Sequence, residues 1–312
     1  MINKSNLQMD LYGLDKFFNE IVNLINKDIL PSKILFSGPK GVGKSTFAYH
    51  IINYIFSKNE TNSYNLLNKR INDENRSFKL ILNKSHPNFH LIDLIDEKKN
   101  IEIEQIRNMI NYTNKSSFNN LPKIILIDNI ESLNINSSNA LLKIIEEPNK
   151  KCFFFLIYNS NRKIISTLKS RCLLYKINLS YYESIDITNK IINNNIFHLI
   201  NEDLVNQYFT PGDFLSLLKF ANLNKINLKD FNLKSFLIYL IKNNFYKKDK
   251  FIKLNIFNFI ESYFLKLFSN SNNKSYIINV YSKFIQKYNN MYKFNLDPDS
   301  YFLEFKSKIL NE

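Results

Sequence analysis

Ser37-Gly38-Pro39-Lys40-Gly41-Val42-Gly43-Lys44-Ser45-Thr46 constrains the fold of this chain more than any other stretch. It matches G-x-x-x-x-G-K-[ST], a loop whose backbone N–H groups cradle the phosphates of a nucleotide. The chain has only five glycines, and three of them fall here. Lys33-Ile34-Leu35-Phe36 reads as a short buried strand entering the loop. Phe47, Ala48, Ile51, Ile52 and Ile55 then recur at helical spacing. Strand, glycine loop and helix in that order predict a phosphate-binding loop. Gly38, Gly41 and Gly43 let the backbone close around an anion, and the helix N-terminus adds its positive dipole end. Lys44 is placed to reach the β- and γ-phosphates of ATP, Ser45 to offer its hydroxyl to Mg2+, and Thr46 to complete the binding stretch.

A second carboxylate is expected nearby. Lys123-Ile124-Ile125-Leu126-Ile127-Asp128 reads as an apolar strand ending in an acid, and in a parallel sheet such an Asp128 reaches the Mg2+ shell beside the loop. Ahead of the loop, Leu14 to Ile25 gives a helical face stopped before Pro31, and between the two motifs residues 57–84 read as an exposed, partly helical connection. His86 and His90 flank a turn into a strand. With no cysteine near them, they lack the four ligands of a structural zinc, so no zinc site is expected. Ile101-Glu102-Ile103 can extend a strand or open a helix, and Gln105 to Thr113 is helical. Ser137 to Glu147 reads as a capped helix stopped by Pro148, Lys151 to Tyr158 as a buried strand ending at Asn159, and Ile164 to Cys172 as a helical turn before a short strand. Alternating strands and helices predict an α/β domain with a parallel sheet. Beyond Ile177 only helical periods remain: Phe214 with Leu217, Phe236 with Leu240, Ile256 with Ile260 and Phe264, Ile277 with Tyr281 and Phe284, and Phe302 with Phe305.

Composition bounds the remainder. A chain of 312 residues holds two or three domains. No apolar run approaches the length that spans a bilayer, and two cysteines, Cys152 and Cys172, suggest no disulfide framework, so a cytoplasmic protein without a membrane partner is expected. The formal charge of +14 permits contact with nucleic acid. The excess is spread along the chain, though, and lysine and asparagine are inflated together, as base composition alone would produce. Arginine is more informative: with five in the chain, each one stands where lysine would be the easier residue.

Taken in order, Gly38 to Ser45, Ile124-Ile125-Leu126-Ile127-Asp128, Asn139-Ala140-Leu141-Leu142-Lys143-Ile144-Ile145-Glu146-Glu147-Pro148 and Ser170-Arg171-Cys172 resemble the bacterial clamp-loader branch of the AAA+ family. The N-A-L-L-K-x-x-E-E-P and S-R-C signatures are far more specific than the phosphate loop alone. His86-Pro87 and the stretch Ile101 to Arg107, which is similar to I-x-V-x-Q-I-R, extend the likeness over roughly residues 7 to 175.

The resemblance implies a RecA-like parallel-sheet α/β domain over residues 1–176, a small helical lid over 177–226 and an all-helical collar over 227–312. It implies ATP and Mg2+ as cofactors, the gamma/tau and delta types of loader subunit as partners, and a sliding clamp and primed DNA as what the assembly handles for DNA polymerase III. It assigns Arg171 the part of an arginine finger acting on a neighbouring subunit's ATP, and Asn159 that of a strand-end sensor. Departures from the pattern bear on hydrolysis. Asn129 stands where active relatives carry a water-polarising Glu, and an amide cannot take a proton from water as a carboxylate does. Glu131 lies two residues on. No arginine follows Arg171, so the lid near Thr210-Pro211-Gly212-Asp213 lacks the usual nucleotide-sensing one. Two readings stand: a subunit that holds ATP with weak or no hydrolysis and lends Arg171 in trans, or a self-sufficient gamma/tau-like motor.

Overall fold

The computed structural model describes residues 5–95, 98–147 and 151–310. The chain divides into two compact units, one of residues 1–187 with Thr210–Gly212 and one of residues 188–209 with 213–312.

In the first unit, α1 (Asp15–Asn26), β1 (Lys33–Gly38), α2 (Lys44–Ser57), α3 (Arg76–Leu82), β2 (Phe89–Ile92), α4 (Ile103–Thr113), β3 (Lys123–Ile127), α5 (Ile135–Glu146), β4 (Cys152–Asn159), α6 (Ser166–Ser170) and β5 (Leu173–Lys176) follow one another, and α7 (Tyr181–Ile192) leads out. The five strands form one parallel sheet in the order β2-β3-β4-β1-β5. Helices cover both faces. That explains why the strands read as unbroken apolar runs rather than as alternating ones.

Successive side chains still part to opposite faces. Ile34, Phe36, Ile124, Leu126, Phe155 and Ile157 join a core with α1, α2 and α3. Leu35, Ile125, Ile127, Phe154 and Leu156 join a second core with α4, α5 and α6. α2 is enclosed along nearly its whole length, with Phe47, Ala48, Ile51 and Ile52 excluded from solvent. This is the α/β sandwich that the alternating pattern predicts.

One stretch differs from its sequence reading. Residues 57–84 are not a merely exposed connection, because Tyr64, Ile71, Phe78 and Ile81 are core residues. Buried polar bonds hold the stretch down. The Tyr64 hydroxyl meets His50 Nδ1 at 2.8 Å, Asn75 caps α3 by accepting from the Phe78 N–H, and the Asn75 amide donates to Glu60 at 2.6 Å. Tyr64, Ile71 and Phe78 stand seven residues apart, but Tyr64 and Ile71 lie in no helix, so the spacing marks no helical face and pattern alone did not expose this core. Both alternatives left open at Ile101–Ile103 are realised: Ile101 forms a single parallel bridge with Leu133, and Glu102 and Gln105 form a capping box that opens α4 at Ile103. His86 is buried with its ring stacked 4.1 Å from Phe56, and His90 stacks on Tyr112. Among the described residues, no cluster of His, Cys, Asp and Glu is placed to hold a metal. Pro148, expected to stop α5, lies outside the described residues.

The second unit is helical: α8 (Ile196–Leu199), α9 (Pro211–Asn224, from Asp213 onward), α10 (Leu233–Lys242), α11 (Phe245–Lys248), α12 (Lys250–Asn270), α13 (Lys274–Lys293) and α14 (Pro298–Lys308). Its core is aromatic, built from Phe209, Phe214, Phe236, Phe259, Phe264 and Phe305 in mostly edge-to-face contact. The apolar stripes of the sequence turn inward here, apart from members such as Leu265 and Ile278, which are more than half exposed. Among the described residues no helix is long and apolar enough to cross a membrane.

Candidate functional site

The phosphate-type loop leaves the C-terminal end of β1, where a parallel sheet with helices on both faces opens its crevice. Gly41 and Gly43 adopt φ of +89° and +91°, and Gly43 is the residue from which α2 starts. A β-carbon on Gly41 would stand 2.3 Å from the Thr210 hydroxyl oxygen, and one on Gly38 would stand 2.1 Å from the Ile177 carbonyl oxygen. Glycine is therefore set by close approach at Gly38, by left-handed backbone at Gly43, and by both at Gly41.

Lys44 opens α2 and is 7% exposed. Its ammonium donates to the carbonyls of Gly38 at 2.8 Å and Pro39 at 2.6 Å, so the loop folds around the side chain. Burial lowers its pKa to about 8, while the charges of Asp128 and Glu131 pull it upward. The Ser45 hydroxyl donates to Asp128 Oδ2. Asp128 directly follows β3, and its N–H donates to the Ile92 carbonyl at 2.9 Å, which anchors it to the neighbouring strand end. Burial raises its pKa to about 6; the bond from Ser45 opposes that shift and the nearby charge of Asp93 adds to it. Two oxygen donors paired in this way are the ligand type a hard divalent cation takes. The loop itself offers one enclosed ammonium and a helix N-terminus to an anion. Loop, lysine, hydroxyl and carboxylate thus fit a magnesium–nucleotide.

β4 runs between β1 and β3, and its register sets Asn159 opposite Gly38. Asn159 therefore stands beside the loop, its N–H donating to Glu131 Oε2 at 3.2 Å and its side-chain oxygen accepting from the Asn161 N–H. Asn129 lies in the left-handed region, φ 56° and ψ 46°, and its amide donates to Asp93 Oδ1 at 2.7 Å. Asp93 is a site neighbour that sequence reasoning missed. The available signal was a second carboxylate just past a strand end, one strand over from Asp128. The Thr210–Gly212 segment, which the resemblance sets at the lid's nucleotide-sensing motif, belongs to the first unit. It packs on the loop: the Thr210 hydroxyl donates to the Lys40 carbonyl at 3.0 Å and the Gly212 N–H to that of Gly41 at 3.0 Å. Backbone meets backbone at Gly212, where a β-carbon would come within 2.6 Å of Gly41 Cα.

Arg171 belongs to a different place. It follows α6 and precedes β5, and β5 enters the sheet with Leu173 level with Ile34 of β1. Arg171 thus sits at the N-terminal edge of the strands, whereas the loop follows Gly38 at the C-terminal edge. From Ile34 to Gly38 the strand alone covers roughly 13 Å. The structure brings Gly38, Gly41, Gly43, Lys44, Ser45, Asp128 and Asn159 to one crevice, with Thr46 next along α2, and leaves Arg171 at the other end. Its guanidinium reaches Glu146 at 2.8 Å and the Thr167 carbonyl at 3.0 Å.

A parallel sheet of this strand order, with such a loop after β1, the strand beside the central β4, and an acid closing β3 two places away, defines a P-loop α/β protein of the AAA+ type. The family model described as "DNA polymerase III, delta subunit" matches residues 13–180. A DNA polymerase III subunit delta' of Buchnera aphidicola subsp. Schizaphis graminum is 32% identical over 89% of this chain and 85% of its own length. The subunit delta' of Pseudomonas aeruginosa is 26% identical over 45% of this chain and 40% of its own, and a subunit gamma of the same Buchnera is 33% identical over 63% and 54%. The chain belongs to the delta-prime family of DNA polymerase III clamp-loader subunits.

Proposed function

We propose that this chain holds ATP with Mg2+ in its loop, hydrolyses it weakly or not at all, and lends Arg171 to the ATP of an adjoining loader subunit. The observation that carries this reading is the separation of Arg171 from its own loop by the length of the sheet. A guanidinium at the opposite strand ends cannot serve the nucleotide of its own subunit, but its exposure suits one held next door.

Bound magnesium–ATP supplies the phosphoryl group and the cation that draws charge from it. The chain's own residues do the rest. Lys44 exchanges the Gly38 and Pro39 carbonyls for phosphate oxygens, and Gly41 and Gly43 keep the backbone open to them. Ser45 and Asp128 present oxygens to the cation, and Asn159 offers a polar group at the adjoining strand end. Asn129 cannot take a proton from water, and its amide is engaged by Asp93. Glu131 is engaged by the Asn159 N–H. Neither is poised as a base, which favours slow turnover over the gamma/tau-like motor reading. In the neighbour's site, Arg171 offsets charge that develops on the phosphoryl oxygens.

The division of the helical part into a lid over 177–226 and a collar over 227–312 that joins gamma/tau and delta-type partners belongs to the same proposal. So do a cytoplasmic location and a role in loading a sliding clamp onto primed DNA. The test is reconstitution with the partner subunits. The purified chain should bind ATP with little turnover, and Arg171→Ala should leave assembly intact while depressing turnover of the whole. Rapid hydrolysis by the chain alone would establish the motor reading instead.

A further inference from the structure

We infer that Glu146 is the positioning residue for Arg171, holding the guanidinium oriented before it meets a phosphate; this rests on the trans role proposed above. The geometry is specific. Arg171 Nη2 lies 2.8 Å from Glu146 Oε1, and Nη1 donates to the Thr167 carbonyl at 3.0 Å. The two acceptors come from different elements, α5 and α6, so the guanidinium plane is held at two points rather than swinging about one.

Stability does not account for the pair. The two side chains are 37% and 49% exposed, and ion pairs in such surroundings add little to folding. Glu146 is also the last residue of α5, where the helix dipole concentrates partial negative charge and disfavours a carboxylate. A carboxylate at that end makes sense as a partner for the cation beside it. Arginine carries a large rotamer entropy, and a group that must act at a fixed point in another subunit gains from having surrendered it beforehand. Two of the five guanidinium N–H groups are engaged by Glu146 and Thr167, which leaves three for phosphate oxygens among the described residues. Sequence pattern alone hides this. Glu146 reads there as a member of the E-E-P helix end, 25 positions before the arginine it meets.

The test uses the reconstituted assembly and its DNA-stimulated ATP turnover, with melting temperature and size-exclusion elution as checks on folding and assembly. Glu146→Ala is expected to lower kcat about three- to tenfold with KM for ATP unchanged, because an untethered guanidinium is less often in place when the reaction occurs. Glu146→Gln keeps an acceptor oxygen and should recover turnover to within about twofold of the parent. In an Arg171→Ala background, Glu146→Ala should change nothing further. Turnover equal to or above the parent for both Glu146 variants, with Arg171→Ala still impaired, would overturn this inference alone. An equal loss from Glu146→Ala with and without Arg171 would do the same, by showing an effect that does not pass through the arginine. If Arg171→Ala is itself without effect, the trans reading falls and this inference with it.

Discussion

Lys44 and Arg171 are both cations at the margins of one sheet, yet Lys44 is 7% exposed and wrapped by two carbonyls of its own loop, whereas Arg171 keeps over a third of its side chain in solvent. At the C-terminal edge of the sheet, burial pushes Lys44 down to about 8 and Asp128 up to about 6. The N-terminal edge presents a guanidinium tied to one carboxylate and one carbonyl. One end encloses its cation; the other leaves its cation open to solvent. The residue types agree: lysine as a point charge in a tight loop, arginine as a planar fork at a surface.

The largest expected effect tests the outward end. Arg171→Ala should slow phosphoryl transfer by about a thousandfold at the site it serves, measured by single-turnover hydrolysis in the assembly, with the chain's own ATP affinity unchanged. If that affinity drops instead, the two ends are not independent. Next comes the enclosed end. Lys44→Ala should weaken ATP binding to the isolated chain by about ten- to a hundredfold in equilibrium titration, the loss of a charge-assisted hydrogen bond.

The third prediction asks whether the crevice is strained in the absence of ligand. Asp128→Asn should stabilise the nucleotide-free protein by about 3 kcal/mol near neutral pH in chemical denaturation. Folding raises this carboxyl from 3.8 to about 6, so between those values the folded protein keeps a proton that the unfolded chain has released. Stability therefore falls as pH rises from about 4 to about 6 and stays lowered above that. The advantage of the variant should be present above pH 6 and vanish below about 4. A gain that persists in acid would assign it to something other than the buried charge. The smallest effect concerns Asn129. Asn129→Ala puts a β-carbon without a local hydrogen bond into left-handed backbone and frees Asp93, and should lower stability by about 1 kcal/mol, read as a shift in urea midpoint. No shift would mean that the turn after β3 is held from elsewhere.

Much of this molecule was legible before any fold was in view, and the reason is local. Gly41 and Gly43 announce left-handed backbone by being glycine, the strands announce two-sided burial by unbroken apolar runs, and the helices of the second unit announce themselves by period. The core residues of the 57–84 stretch stayed hidden because Tyr64 and Ile71 lie outside any helix or strand, where spacing marks no inward face, and because the burial of Tyr64, Ile71, Phe78 and Ile81 depends on α1 and α2 being there to receive them. Asp93 stayed hidden for a similar reason. A polar residue after a strand is ordinary until the sheet order puts it beside Asp128 and Asn129.

The amino-acid sequence by itself determined the chemistry at hand: a loop for phosphate, an acid to follow β3, an amide where a base is usual, and one arginine in an S-R-C setting. Only the tertiary structure decided the arrangement. Parallel strand order carries Asp128 and Asn159 to the loop, and the register of β5 on β1 carries Arg171 to the opposite edge. Spacing along a chain constrains what neighbours within a few residues can do. Distances between residues some eighty or more positions apart are set by the hydrogen-bonded register of strands and by which helix faces find one another, and those are properties of the packed whole.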